Sequence, residues 1–189
     1  LKTDEGRLVH GASKWLWMGS LAFHWSFFIV MFRHLRLFID PIPSVLRLVD
    51  SLDGLMQLGV PVLYWTGLIL LISVTYLFIR RVFIPYVRYL SLPGDHFPLL
   101  LIFVIVLSGL LMRYFLKVDI IYVKDLTVGL FSLHPVIKHD LGLIFYIHIL
   151  LVSVLLAYFP VSKLMHAGGV FLSPTRNMPN NSRKIRHIN

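Results

Sequence analysis

The sequence predicts an all-α fold: an integral membrane bundle with four transmembrane helices. Three observations carry that prediction. Of 189 residues, 57% are hydrophobic and only 14% charged, whereas a typical soluble domain carries about 25% charged residues. Mean hydropathy is +0.78. Four separate runs approach or exceed the roughly 20 apolar residues that a helix needs to cross the hydrocarbon of a bilayer.

The first run extends from Trp15 to Ile39, with Trp15 and Trp17 at its rim, where interfacial aromatics belong. Pro41 and Pro43 stop it, and the mixed stretch up to Gly59 reads as surface. The second run, Val60 to Ile79, opens near Tyr64 and Trp65 and closes on Arg80 and Arg81. Pro93 and Gly94 punctuate a short turn into the third, Phe97 to Phe115. Between it and the fourth, Leu141 to Phe159, residues Val118 to Lys138 alternate charged and apolar positions, which suits an interfacial amphipathic segment. Two regions follow: a membrane domain over residues 1–166 and a basic tail over 167–189. The chain opens on Leu1 rather than Met, and a further helix is expected before it.

Charge predicts orientation. Four spans put both ends of the chain on one side. That side collects eleven basic residues against three acids, Asp4, Glu5 and Asp95, while the other collects seven against six. The positive-inside rule then places both ends in the cytoplasm of a multi-pass protein of the cell membrane. A formal net charge of +9 reports this topology rather than nucleic-acid binding. Cysteine is absent, which rules out cysteine-ligated iron–sulfur clusters, c-type haem attachment and disulfides within this chain.

The histidines carry the chemistry. Ionisable side chains inside a span are costly and are usually functional. His24 and His34 lie in the first span, about 15 Å apart along the axis. His148 lies in the fourth span, and His166 lies just past its end. The two spans run antiparallel, so His34 pairs in level with His148, and His24 with His166. Neutral imidazole is a natural axial ligand of haem iron, and facing helices of a bundle are where such sites are built. The pattern predicts two haem b groups at two depths, and hence electron transfer. One mismatch stands: an ideal helix would separate His148 from His166 by about 27 Å, which calls for tilt or a bend near Pro160. Taken singly, each histidine is equally well explained as a hydrogen-bond donor between helices; the matched levels of four favour ligation. His96, His134 and His139 fall in loops or at span edges, and His10 and His187 in polar tails, where surface roles suffice. Gly19, Ala22 and Ser26 near His24, and Gly142 before His148, offer low-profile positions for a macrocycle or for close helix packing. The competing function class, a transporter or channel using histidines as a proton or metal relay, predicts acids scattered through the spans; they hold almost none.

Two histidines ten apart on one span and two eighteen apart on a later one resemble the gamma subunit of respiratory nitrate reductase, a quinol-oxidising di-haem cytochrome b. The stretch Phe159-Pro160-Val161-Ser162-Lys163-Leu164-Met165-His166 is similar to that family's sequence around its last haem ligand. The tail Ser173-Pro174-Thr175-Arg176-Asn177-Met178-Pro179-Asn180-Asn181-Ser182-Arg183 resembles the cytochrome b subunit (M subunit) of the Dsr membrane complex, which accompanies dissimilatory sulfite reduction. The resemblance implies that His24 and His166 ligate a cytoplasmic-side haem and His34 and His148 an outer haem. It implies a menaquinol or menaquinone substrate near the outer haem, in a respiratory chain. A lysine after the first span takes part in the nitrate reductase relatives; no lysine here matches it, and Arg36, Asp40, Arg47 and Asp53 are the nearby polar candidates, with Asp40 as a proton acceptor. Implied partners are a cytoplasmic heterodisulfide-reductase-like iron–sulfur subunit, a multihaem cytochrome c and further membrane subunits. The basic tail, with Arg176, Arg183, Lys184 and Arg186, is suited to an acidic partner or anionic headgroups.

Overall fold

A computed structural model describes residues 13–54, 62–135, 141–166 and 169. The described chain is helical throughout its long elements. Helix α1 spans Lys14–His34, α2 Ser44–Asp53, α3 Trp65–Phe83, α4 Pro85–Leu90, α5 Pro93–Leu111, α6 Ile120–Phe131 and α7 Leu143–Tyr158. With the short turns that continue them, four segments are long and apolar enough to cross a membrane: Lys14–Leu37, Trp65–Phe83, Pro93–Leu116 and Leu143–Val161. The four expected spans are present, with ends shifted by a few residues. Residues 55–61, and so the expected start of the second span at Val60, lie outside the described residues, as do His10, His139, His187 and nearly all of the basic tail.

Local chemistry sets the ends. Ser13 caps α1 by accepting from the backbone N–H of Leu16, and Asp119 caps α6 by accepting from that of Ile121. Pro85 and Pro93 stand in the first turns of α4 and α5, where a missing N–H costs nothing. The mixed stretch after the first span forms α2, and the alternating segment after the third forms α6. Both are short helices beside the bundle.

Packing is sequential: α1 lies on α3, α3 on α5, and α5 on α7. Leu70 and Val74 of α3 form the most deeply buried apolar positions, and Leu101 and Ile102 of α5 are buried too. A second cluster, Val123, Leu126, Leu141 and Phe145, joins α6 to the start of α7. Large apolar residues such as Trp25, Ile72 and Leu150 face outward, as lipid-facing positions should. The pair α1–α7 is not among the closely packed helix pairs of the described residues. α1 and the turn that follows α7 instead approach through side chains, His24 against His166; this line of approach is the α1–α7 seam.

Two of the small residues near the histidines have other duties. A Cβ on Gly19 would stand 2.6 Å from the ring of Tyr76, so Gly19 allows α1 to approach α3 rather than making room for a macrocycle. Gly142 precedes α7 with φ +79°, a backbone conformation that favours glycine.

Candidate functional site

The seam between α1 and α7 gathers four imidazoles. At the end of the bundle nearest the chain termini, the rings of His24 and His166 lie 5.9 Å apart at their centroids with planes crossed at 85°. Two imidazoles on opposite sides of one metal ion, each bound at about 2 Å, would put their centroids about 6 Å apart. The spacing leaves room for one metal ion held by both rings.

His166 reaches His24 because α7 does not continue straight. The helix ends at Tyr158, and two 3₁₀ turns follow, Phe159–Val161 and Lys163–Met165, separated by the extended Ser162 (φ −109°, ψ 169°). Pro160 sits in the first of these turns, and the Ser162 hydroxyl accepts from the N–H of Leu164 to start the second. From sequence, the separation of about 27 Å that an ideal helix puts between His148 and His166 calls for tilt or a bend near Pro160. The chain turns between them, and the separation of an ideal helix no longer applies.

At the other level His34 is exposed and His148 half-buried on their own chain. They stand within electrostatic reach of one another. Three of the four histidines share one device. Nδ1 of His24 lies 2.7 Å from the Ser20 carbonyl, Nδ1 of His34 2.7 Å from that of Val30, and Nδ1 of His166 2.8 Å from that of Lys163. A carbonyl only accepts, so each Nδ1 carries the proton and each Nε2 keeps the lone pair. This is how metal-binding histidines are commonly fixed in tautomer and orientation. Nδ1 of His148 is held by the hydroxyl of Ser108, 2.8 Å away on α5. All four rings can therefore present Nε2 to a metal. Among the described residues no group of three or more His, Asp or Glu side chains gathers in the manner of a metal-ion cage; the arrangement is one of pairs.

Below His34, toward the side of the bundle away from the termini, lies a polar network. Arg33, buried at the end of α1, donates from Nε to Asp50 and from Nη1 to Asp53, both at 2.6 Å. Arg36 donates to the other oxygen of Asp50 at 2.9 Å. Asp53 also accepts from the backbone N–H and the hydroxyl of Thr66. The ring of Tyr64 is sandwiched between two guanidinium groups, Arg33 at 3.3 Å and Arg113 at 4.0 Å, a cation–π arrangement favoured where water is scarce. A π-helical turn, Met112–Leu116, carries Arg113 and Tyr114; Arg113 donates to the Val62 carbonyl, and the Tyr114 hydroxyl accepts from the N–H of Tyr64.

Of the four polar candidates near the far side, the structure thus brings Arg36 and Asp53 into one network through Asp50 and Arg33. Asp40 does not join it: its carboxylate, three-quarters exposed, pairs with Lys124 of α6 at 2.9 Å. Arg47 lies exposed on α2. Sequence reasoning missed Arg33, Asp50, Tyr64, Thr66 and Arg113. Two of these carried a signal, because Arg33 and Arg113 are arginines inside apolar spans, where charge is rare and generally paired. His96 is on the first turn of α5 against Phe78, and His134 is exposed after α6.

Comparison with known proteins agrees with this architecture. The family described as nitrate reductase gamma subunit matches residues 7–181. A protein of Archaeoglobus fulgidus named "Hdr-like menaquinol oxidoreductase cytochrome b-like subunit" is 45% identical over 187 residues, covering 97% of this chain and 56% of its own. A protein of the same name from Archaeoglobus profundus is 40% identical over 181 residues, covering 94% of this chain and 54% of its own. The chain spans about half the length of these curated relatives.

Proposed function

The chain belongs to the nitrate reductase gamma subunit family, and on that premise we propose that it is a di-haem cytochrome b that moves electrons between a menaquinol or menaquinone and a partner subunit. The observation that carries this reading is the pairing of imidazoles across the α1–α7 seam, with Nδ1 of every ring engaged and Nε2 left to bind iron. His24 and His166 would hold one haem b, and His34 and His148 the other. Bound there, haem iron supplies one-electron redox chemistry at two depths of the membrane.

The chain's own residues do the rest. Backbone carbonyls of Ser20, Val30 and Lys163 hold the proton of Nδ1 away from the metal side. Beside His34, the network of Arg33, Arg36, Asp50 and Asp53 offers donors to a quinone carbonyl and a carboxylate, Asp50, that can take a proton from a quinol hydroxyl; its side chain is one-fifth exposed. Asp40 and Arg47 would act, if at all, at the rim. The charge bias of the loops supports an orientation with the quinone network outside and the His24/His166 level on the cytoplasmic side; in that orientation quinol oxidation would release protons outward. The relatives' name supports membership of a heterodisulfide-reductase-like menaquinol oxidoreductase. A cytoplasmic iron–sulfur subunit is the electron partner in this reading. The tail motif 173–183 extends it to a Dsr-type complex of sulfite respiration, with a multihaem cytochrome c and further membrane subunits.

The test is haem content. Purified chain should show a haem b spectrum with two haems per chain by pyridine haemochrome assay. His24→Ala or His166→Ala should remove one of them, and His34→Ala or His148→Ala the other. Two haems retained in all four variants would refute the ligand assignment.

A further inference from the structure

We propose that Ser108 is a positioning residue for His148, setting that imidazole's orientation and electron density from a different span; the inference rests on the di-haem reading above. His148 differs from the other three histidines. Theirs is a contact within one segment: each Nδ1 meets a carbonyl three or four residues earlier in its own chain segment. The partners of His148 lie on α5: the Ser108 hydroxyl forty residues away, with the Ile105 carbonyl also within hydrogen-bond reach of the ring. Ser108 is buried, with 4% of its surface exposed, in a helix that packs directly on α7.

The hydrogen-bond order follows from the partners. The Ser108 hydroxyl donates to the Ile105 carbonyl at 2.8 Å. Its one proton is thereby engaged, so toward His148 it can only accept. Nδ1 of His148 is then the donor, and Nε2 bears the lone pair. A hydroxyl that is already donating is polarised and accepts more strongly. Donation from Nδ1–H to such an acceptor raises the basicity of Nε2. The ring also lies against the neighbouring residue: a Cβ on Gly109 would be in ordinary contact with Cε1 of His148, at 3.4 Å. Because these partners belong to α5 and the ring to α7, the ligand's orientation depends on how the two spans pack. The other three rings are free of that dependence.

A richer imidazole favours ferric over ferrous iron. Loss of the hydroxyl should therefore raise the potential of the haem held by His34 and His148 and leave the other unchanged. The measurement is redox potentiometry with low-temperature EPR on the purified chain, comparing wild type with Ser108→Ala and Ser108→Thr. The alanine variant should keep two haems, with one potential raised by a shift on the order of tenfold in the ferric–ferrous equilibrium, about 59 mV for one electron. The same haem should show altered low-spin ferric g-values as its ligand turns. Threonine keeps the hydroxyl and should return both readouts toward wild type. Two haems with unchanged potentials and g-values in Ser108→Ala would overturn the role of Ser108 alone. Loss of both haems in that variant would mark the residue as packing and overturn it too. A wild-type chain without haem would instead sink the di-haem reading, and this inference with it.

Discussion

Arg33 shows what a single charged residue does near the end of an apolar span. Its guanidinium, one-tenth exposed, is matched by Asp50 and by the almost fully buried Asp53. Such a group is stable only while its partners hold. Removing Asp53 leaves Arg33 half-paired and strips Thr66 of its acceptor; Asp53→Ala should destabilise the fold by about 3–5 kcal/mol. Replacing both partners, Arg33→Met with Asp53→Leu, leaves Arg36 to pair with Asp50 and should cost much less than the single change. Thermal unfolding in detergent of the two variants checks the order. The intramembrane histidines were legible from sequence because each stands out against apolar neighbours. Tyr64 and Thr66 were not, because a tyrosine or threonine at a span end is commonplace, and only the approach of α1 gives them charged partners.

At the scale of elements, the decisive feature is the break after α7. Pro160 lacks an N–H and cannot continue the ladder, while Ser162 starts a new turn by capping Leu164. These two residues bring His166 back to His24. If the proposed di-haem reading holds, Pro160→Ala combined with Ser162→Ala should let α7 extend, carry His166 off its level and lower haem content from two per chain toward one, with the proposed His34/His148 site retained. Absorbance at the reduced α band, normalised to protein, reads this directly. The existence of four spans was visible in composition, because segments of 19 to 24 predominantly apolar residues leave few alternatives to a helix in lipid. Helices α2 and α6 were read only as surface or interfacial stretches, since short helices beside a bundle are held by contacts their own sequences do not announce. Thr127 of α6, for instance, donates to the Leu37 carbonyl ninety residues away.

For the whole molecule the open question of sidedness has a direct test. The sequence holds no cysteine, so one introduced thiol is a clean reporter. Ser91 lies between α4 and α5, on the side of the chain termini; Ser132 follows α6, on the opposite side. In sealed cells a membrane-impermeant maleimide should label Ser132→Cys, and Ser91→Cys only after the membrane is opened. The reverse pattern would invert the proposed direction of proton release.

Membrane residence, the number of spans and the identity of the four intramembrane or near-membrane histidines were determined by the sequence alone. These follow from properties summed along the chain: apolar run length, loop charge and the rarity of ionisable groups in lipid. The pairs of histidines were expected from their matched levels; which nitrogen of each is free, and which acids and arginines share a network, were decided only by tertiary structure. Each depends on distances between residues far apart in the chain, such as His24 and His166 or Ser108 and His148, and on the turn at Phe159–Ser162, which no periodicity encodes.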